Sequence, residues 1–452
     1  MTASTSVPER QGFRPGRWAP GRGPSPDRGP HPVVASLRAA GPALLLYLAA
    51  RAVGLAALLL LSRRSAGYTL HRLAVHWDAY WYLDIAQHGY DHAIRAPMPG
   101  QGHHRYTNLA FFPVYPALIR LLHTLLPVLP WGVAGLATAG LCSLVAAWGM
   151  QAAVAYRYGP RVGTLAVLLW GIGPAAVIEW AGYSESAFTA LVSWALFAVL
   201  KRRWLTAGTL TLLAGLTRPT GVAMAAALIA AAALEVWTGL REPGSGRPRL
   251  DRLYRFAAGF GGYDSSAVSA VSGPAALDPG RARPALWRPV TAALIAPVGW
   301  LGFVAWTGLR LHHWNAYFQI QALWKSRFDF GHTTAADFKM LLTRGTPVNL
   351  YVPVVGCVLI AAVVVLAATV AQRQPLPFVV LSVVMVVIAL GDAAYFSSRA
   401  RFLLPAFPLL LPIASGLARM RNRTVLTAVL ASATVVSAMY GAYVLLYAPS
   451  PP

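Results

Sequence analysis

Eleven apolar runs, separated by short polar or arginine-bearing turns, dominate the chain between residues 41 and 446. They cover 41–61, 132–155, 162–180, 184–200, 204–217, 221–237, 290–309, 350–371, 376–391, 402–418 and 424–446. Most approach or exceed the roughly 20 residues that cross the hydrocarbon core of a bilayer as a helix. The pattern predicts an all-α polytopic membrane protein with about eleven transmembrane helices. The run at 204–217 is short for a full crossing, so its end is expected to stop inside a cavity.

One polar island interrupts this pattern early. Residues 76–90 read HWDAYWYLDIAQHGY, with two Trp, three Tyr, two His and two Asp. Such a segment is too polar to cross a bilayer and too aromatic for a solvated loop; amphipathic rings of this kind sit at headgroup level. A second ambiguous stretch follows at 108–130, apolar but bearing Pro113, Pro116, Arg120 and His123.

The excess of basic residues on cytoplasmic loops decides how to thread that stretch. If it does not cross, the turns YRYGPR (156–161) and KRR (201–203), the Arg-rich loop 238–288 and the turns at 372–374 and 419–423 all fall inside. Arg63 and Arg64 remain on the wrong side. Residues 111–126 are therefore expected as an interfacial or re-entrant helix within a first outer loop, 62–130. The amino terminus is then inside and the carboxyl terminus outside. A Pro-, Gly- and Arg-rich tail over 1–40 is expected to be disordered, the transmembrane domain to run from 41 to 446, and 310–349 to form a second outer loop.

Composition narrows the class. Of 452 residues, 56% are hydrophobic and 12% charged, against about 25% charged in an average soluble domain. The net charge of +23 lies between apolar runs rather than on a soluble basic face, which argues against nucleic acid. Arginine is used in place of lysine almost throughout, with abundant Ala, Gly and Pro, which points to a GC-rich bacterial genome. Cys142 and Cys357 sit in separate apolar runs as small core residues. No tract has zinc-ligand spacing, and no metal or cofactor is expected.

On this threading the polar residues gather on the outer face, the plasma-membrane side on which chemistry is expected. A helix over 77–89 puts Trp77, Trp81, Asp84 and His88 on one face, and Asp78, Tyr82, Ile85 and Gly89 on another. Asp78 and Asp84 lie about 120° apart around such a helix, so they do not pair as the two carboxylates of a hydrolase. Asp78 suits either a helix N-cap or a base; Asp84 and His88 suit structural hydrogen bonding or substrate contact. Glu185, in GYSES, fits a first helical turn capped by Ser184 or a functional boundary carboxylate.

Arg218 in LTRPTG needs a partner or a watery cavity, because an arginine near the bilayer centre costs about 2.5–3.5 kcal/mol on insertion scales. A lipid phosphate suits its planar guanidinium. Arg399 and Arg401 in SSRARFLLPAFP suit the same role or plain snorkelling. Arg51 is expected to snorkel or to face the bundle. His103 and His104, with Arg105, suit either a loop or a sugar or phosphate patch. The segment 312–330 suits an interfacial helix or sugar stacking.

These motifs resemble the phosphatidylinositol-glycan class V family, the GPI mannosyltransferase 2 type, within the GT-C superfamily of membrane glycosyltransferases. The resemblance lies in Trp77-Asp78-Ala79 followed by Ile85-Ala86 and His88-Gly89-Tyr90, and in Ala110-Phe111-Phe112-Pro113 with Tyr115-Pro116. It continues in Gly182-Tyr183-Ser184-Glu185-Ser186, Thr217-Arg218 with Gly221, and Arg401-Phe402-Leu403-Leu404-Pro405. In family order they cover roughly residues 70–410.

The resemblance implies a GT-C-like bundle and an inverting hexosyltransferase that takes mannose from a polyprenyl-phosphate donor. Asp78, at the family's WDA position, would be the base, with Arg218, Arg401 and Arg399 at the donor phosphate. Trp77, Trp81, His88, Tyr90, His103, His104, Tyr183 and Glu185 would contact substrate. A bacterial chain makes no GPI anchor, so the expected acceptor is a lipid-linked or cell-envelope glycan among membrane lipids. A lipid or sugar transporter and a noncatalytic envelope scaffold are the competing classes.

Overall fold

The computed structural model describes residues 32–95, 106–240, 285–343, 348–393 and 395–450. The expected tail up to residue 31, the expected inner loop over 241–284, and His103 and His104 lie outside the described residues. Each expected apolar run is helical over much of its length. Helix α1 (Pro32–Leu61) begins ahead of its expected start, so 32–40 is helix rather than tail. Its Ala and Leu residues favour a helix, and Pro32 suits a first helical position. In the first loop lie α2 (Ala66–Val75), α3 (Asp78–His88) and α4 (Val114–Leu125).

Then come α5 (Trp131–Tyr158), α6 (Pro160–Gly171), α7 (Glu185–Leu200), α8 (Trp204–Gly215) and α9 (Gly221–Gly239). After residue 284 come α10 (Trp287–Ile295), α11 (Val298–Arg310), α12 (Ala316–Leu323) and α13 (His332–Thr343). The chain closes with α14 (Tyr351–Ala371), α15 (Leu376–Gly391), α16 (Arg399–Phe402), α17 (Leu411–Ala418) and α18 (Arg423–Tyr447). The protein is an all-α polytopic membrane protein.

Among the described residues, six helical segments are long and apolar enough to cross a membrane, α10 and α11 together counting as one, or seven if the bent pair around 403–406 is one span. Four more apolar helices, including α4 and α7, are shorter. The differences from the expected runs have local causes. The run 162–180 is helical only to Gly171, because Pro174 lacks an N–H and restricts the residue before it; a 3-10 turn, Ala176–Glu179, follows. The run 290–309 is interrupted before Pro297. The segments Phe396–Phe402 and Phe407–Ala418 meet at 81° across the break that holds Pro405.

Helix α4 has 12 residues, about 18 Å at 1.5 Å per residue, well short of the roughly 30 Å of hydrocarbon. The chain leaves and re-enters the bundle at the same end. Gly132, at the start of α5, lies against Ala74 of α2, the helix that follows α1 directly. Tyr447, at the end of α18, donates to the Leu61 carbonyl at 2.8 Å.

The basic turns gather at the other end. Lys201 Nζ sits 3.9 Å from the centre of the Tyr156 ring. Arg161 Nη2 donates to the Met420 carbonyl at 3.1 Å, and Arg202 Nη2 to Glu235 Oε2 at 2.5 Å. With the positive-inside rule, this grouping gives a direct expectation. Reporter fusions after Tyr158 and after Arg203 should both read cytoplasmic, and an external reading at either would show that α4 crosses the membrane.

Candidate active site

Four helix breaks meet at the end away from the basic turns. The first is Trp77, whose φ of 59° lies in a region costly for a side chain bearing a Cβ, by about 1–3 kcal/mol. It starts α3 so that Asp78 is the first helical residue, in the turn where the helix dipole favours a negative charge. The second break ends at α7, where Gly182 carries no side chain because a Cβ there would stand 2.8 Å from the Ala74 carbonyl oxygen. That close approach brings Tyr183, Ser184 and Glu185 against α3. The third is Thr217-Arg218-Pro219-Thr220 between α8 and α9, and the fourth is the short helix α16.

Their charged side chains form one chain of ion pairs. Asp78 Oδ2 lies 2.7 Å from Arg401 Nη1. Arg401 Nε lies 3.6 Å from Glu185 Oε1, and Glu185 Oε2 lies 2.8 Å from Arg218 Nη1. Arg218 also donates to Ser184 Oγ at 3.0 Å, which shares a 2.6 Å hydrogen bond with Tyr82 Oη. Two carboxylates face two guanidiniums, so the cluster is neutral. The Glu185 side chain is 1% exposed and that of Arg401 8%, whereas that of Asp78 is 19% exposed. Asp78 is the rim of an otherwise buried group.

Aromatic groups frame it. Arg401 lies over the Tyr183 ring at 5.3 Å, and Tyr183 Oη reaches the His76 carbonyl at 3.5 Å. Burial and the neighbouring Arg72 guanidinium hold the His76 imidazole below the usual histidine range, so His76 brings no positive charge to the rim near pH 7.

The remaining sequence candidates separate. Trp81 is buried, stacked on Phe111 and edge-on to Trp324, with Arg95 above it at 5.3 Å. Tyr90 donates to the Phe111 carbonyl at 2.8 Å and packs on Trp306. His88 is exposed and pairs with Asp84 at 3.2 Å. Asp84 also accepts from Asn108 Nδ2 at 2.9 Å and from Arg95. Asp91 binds Arg95 and Thr107, and Arg310 donates to the carbonyls of Tyr90 and Asp91. This network clamps the first loop rather than meeting the Asp78 cluster.

Arg399, two residues from Arg401, is placed elsewhere: it lies 3.6 Å from Asp337 and donates to Thr334, tying α13 to α16. Arg51 faces the bundle, donating to the Ala176 carbonyl at 2.5 Å and lying 3.7 Å from Glu179 Oε2. Glu179 is fully buried and also accepts from Tyr47 Oη at 2.9 Å. Sequence reasoning passed over Glu179 and named Tyr82 and Ser184 only as a helix-face neighbour of Asp78 and a cap for Glu185. A lone acid inside the apolar run 162–180 was the available signal for Glu179, and the shared helix face of Asp78 and Tyr82 was the signal for Tyr82. The capping role open to Ser184 is not taken up: its hydroxyl serves Tyr82 and Arg218, and it makes no capping bond. Among the described residues, no three His, Cys, Asp or Glu side chains converge as metal ligands, and Cys142 and Cys357 are free thiols.

No protein-family profile and no curated protein sequence matches the chain. Among solved structures it is similar to ArnT from Cupriavidus metallidurans bound to undecaprenyl phosphate. That similarity has 13% identity and a TM-score of 0.49, covering 89% of this chain and 76% of the other. It is also similar to the oligosaccharyltransferase AglB from Archaeoglobus fulgidus in complex with an inhibitory peptide and a dolichol-phosphate, with 12% identity and a TM-score of 0.45. There it covers 91% of this chain and 56% of that one, so the chain spans little more than half the length of the archaeal protein. At these values the likeness concerns the path of the helices and assigns no activity.

The buried cluster makes a stability prediction. Glu185→Ala leaves Arg218 without its counter-charge and should cost about 3–5 kcal/mol, as for other buried pairs broken on one side. The drop is measurable as thermal unfolding of the purified protein in detergent. Glu185→Leu with Arg218→Met, which removes both charges, should recover most of that loss.

Proposed function

We propose that the protein is a membrane glycosyltransferase of GT-C type, transferring mannose with inversion from a polyprenyl-phosphate donor to a lipid-linked or cell-envelope glycan. The placing of Asp78 carries the reading. The residue that matches the WDA motif is the accessible carboxylate of a cluster whose other members are buried arginines and Glu185. The reaction asks for one group that accepts a proton and for cations where the leaving phosphate gains charge. Asp78 takes the first role, and Arg401 and Arg218 the second.

In this scheme an acceptor hydroxyl oxygen attacks the anomeric carbon while Asp78 takes its proton. The bond to the phosphate oxygen breaks on the opposite side, and the electron pair leaves with the polyprenyl phosphate. Glu185, flanked by both arginines, holds them in register and does not meet the acceptor. Arg399 drops out of the phosphate site, because it serves the contact between α13 and α16. Trp77 and Tyr183 stay near the reacting groups, while Trp81, His88 and Tyr90 hold the loop that carries α3. The active face is the end opposite the basic turns, which the positive-inside rule assigns to the outside of the plasma membrane.

The test is transfer of radiolabelled mannose from polyprenyl-phosphate mannose to membrane lipids by the protein in proteoliposomes. Asp78→Asn should retain its fold, judged by unfolding temperature, and lose transfer by about 10²-fold or more. Transfer at the wild-type rate in that variant would sink the assignment of Asp78 as base.

A further inference from the structure

Arg401 faces two ways. On one side its Nη1 holds Asp78. On the other it lines a narrow cleft that opens to the surface, bounded by Val177, Tyr351, Val355, Tyr440 and Val444. The cleft lies between α14, α18 and the broken segment after α6. Among the described residues that line it, Arg401 is the one charged side chain. Beside it the outer surface of α18 is aliphatic: Val436, one turn from the lining residue Tyr440, is 68% exposed. An apolar slot that opens beside such a surface and ends at a cation suits an amphiphile with a long aliphatic tail and an anionic head.

The same contact makes a difficulty for the reaction. While Asp78 Oδ2 is 2.7 Å from a guanidinium, that oxygen is occupied and does not face a hydroxyl. Arg401 Nε, however, has a second anchor in Glu185. The side chain can therefore keep Glu185 as a pivot while its outer nitrogens turn away from Asp78.

We propose that the Arg401 guanidinium is a counter-ion passed from one anion to another: it holds Asp78 until a polyprenyl-phosphate lipid enters the cleft, then turns to the phosphate and frees Asp78. This rests on the glycosyl-transfer reading of the site. Charge bookkeeping supports the exchange. Before transfer the donor phosphodiester carries one negative charge and Asp78 another. As the new carbon–oxygen bond forms, the hydroxyl proton goes to Asp78, and the old carbon–oxygen bond gives its electron pair to the phosphate. The phosphomonoester that leaves carries about −1.5 to −2 at neutral pH. Negative charge thus passes from Asp78 to the phosphate during transfer, and a guanidinium already turned to the phosphate by lipid binding stands where that charge arrives. Before the lipid arrives, one oxygen of the base is held by Arg401, which weakens its action on water or an unintended hydroxyl.

The test uses the full chain in nanodiscs and undecaprenyl phosphate without sugar, so that no transfer takes place. A water-soluble carbodiimide with an amine tag reaches a carboxyl group once its ion pair opens, and mass spectrometry reads the tag on the Asp78 peptide. Undecaprenyl phosphate should raise tagging of Asp78 several-fold, while undecaprenol or inorganic phosphate alone should leave it unchanged. Arg401→Gln should show the raised level with or without lipid. Should that variant fail to fold, the wild-type comparison still decides.

Retention of radiolabelled undecaprenyl phosphate with unchanged Asp78 tagging overturns the hand-over and leaves the transferase reading standing. A rise with inorganic phosphate alone overturns the role of the cleft. A lipid-dependent rise in a protein that transfers no sugar supports the hand-over and counts against the transferase reading, so the two fail separately.

Discussion

Two arginines buried in an apolar bundle must be neutralised, and that requirement organises the upper end of this protein. Arg218 and Arg401 lie on segments far apart in sequence, and each is almost fully enclosed. Glu185 stands between them and Asp78 completes the neutral set. A buried charge without a partner costs several kcal/mol, so α3, α7, the 217–220 break and α16 are constrained together. Moving any one of them strands a charge.

Helix breaks make such a cluster possible. A continuous helix uses its own backbone groups and presents mainly side chains to its neighbours. A break lets polar residues project into the bundle, and such irregular backbone is tolerated where protein or a watery cavity surrounds it. Here the breaks occur at Trp77, at Gly182, at Pro219 and around Pro405. A second buried cluster, Tyr47–Arg51–Glu179, lies behind the broken stretch 172–184 and ties it to α1. The stretch that carries Ser184 and Glu185 is therefore held from both sides.

The first loop works as a rigid mount. Asp84, Asp91, Arg95 and Asn108 cross-link it, and Trp81, Phe111 and Trp324 fill its interior. Arg310 fastens it to α11 through the carbonyls of Tyr90 and Asp91. On the proposed reading, this mount holds Asp78 at a defined place on the cluster's rim, and residues taken for sugar contacts contribute rigidity instead. The short helix α16 joins both loops, since Arg401 binds α3 and Arg399 binds α13.

Hydrophobic patterning by itself determined the membrane class and the approximate limits of most helices, because bilayer thickness imposes a length on apolar runs. Helical periodicity also put Asp78 and Tyr82 on one face and Asp84 and His88 on another; the second pair meets in a hydrogen bond, while Tyr82 reaches the Asp78 cluster through Ser184. What periodicity lacks is the identity of partners distant in the chain. Whether Arg399 or Arg401 meets Asp78 cannot follow from a shared motif, since two residues along α16 turn the side chain to a different neighbour. Likewise, Trp81 reads as a sugar platform until Phe111 and Trp324 are seen to enclose it. The tertiary structure decided these points because neutralising a buried charge depends on distance in space, and distance in space comes from how the broken helices pack.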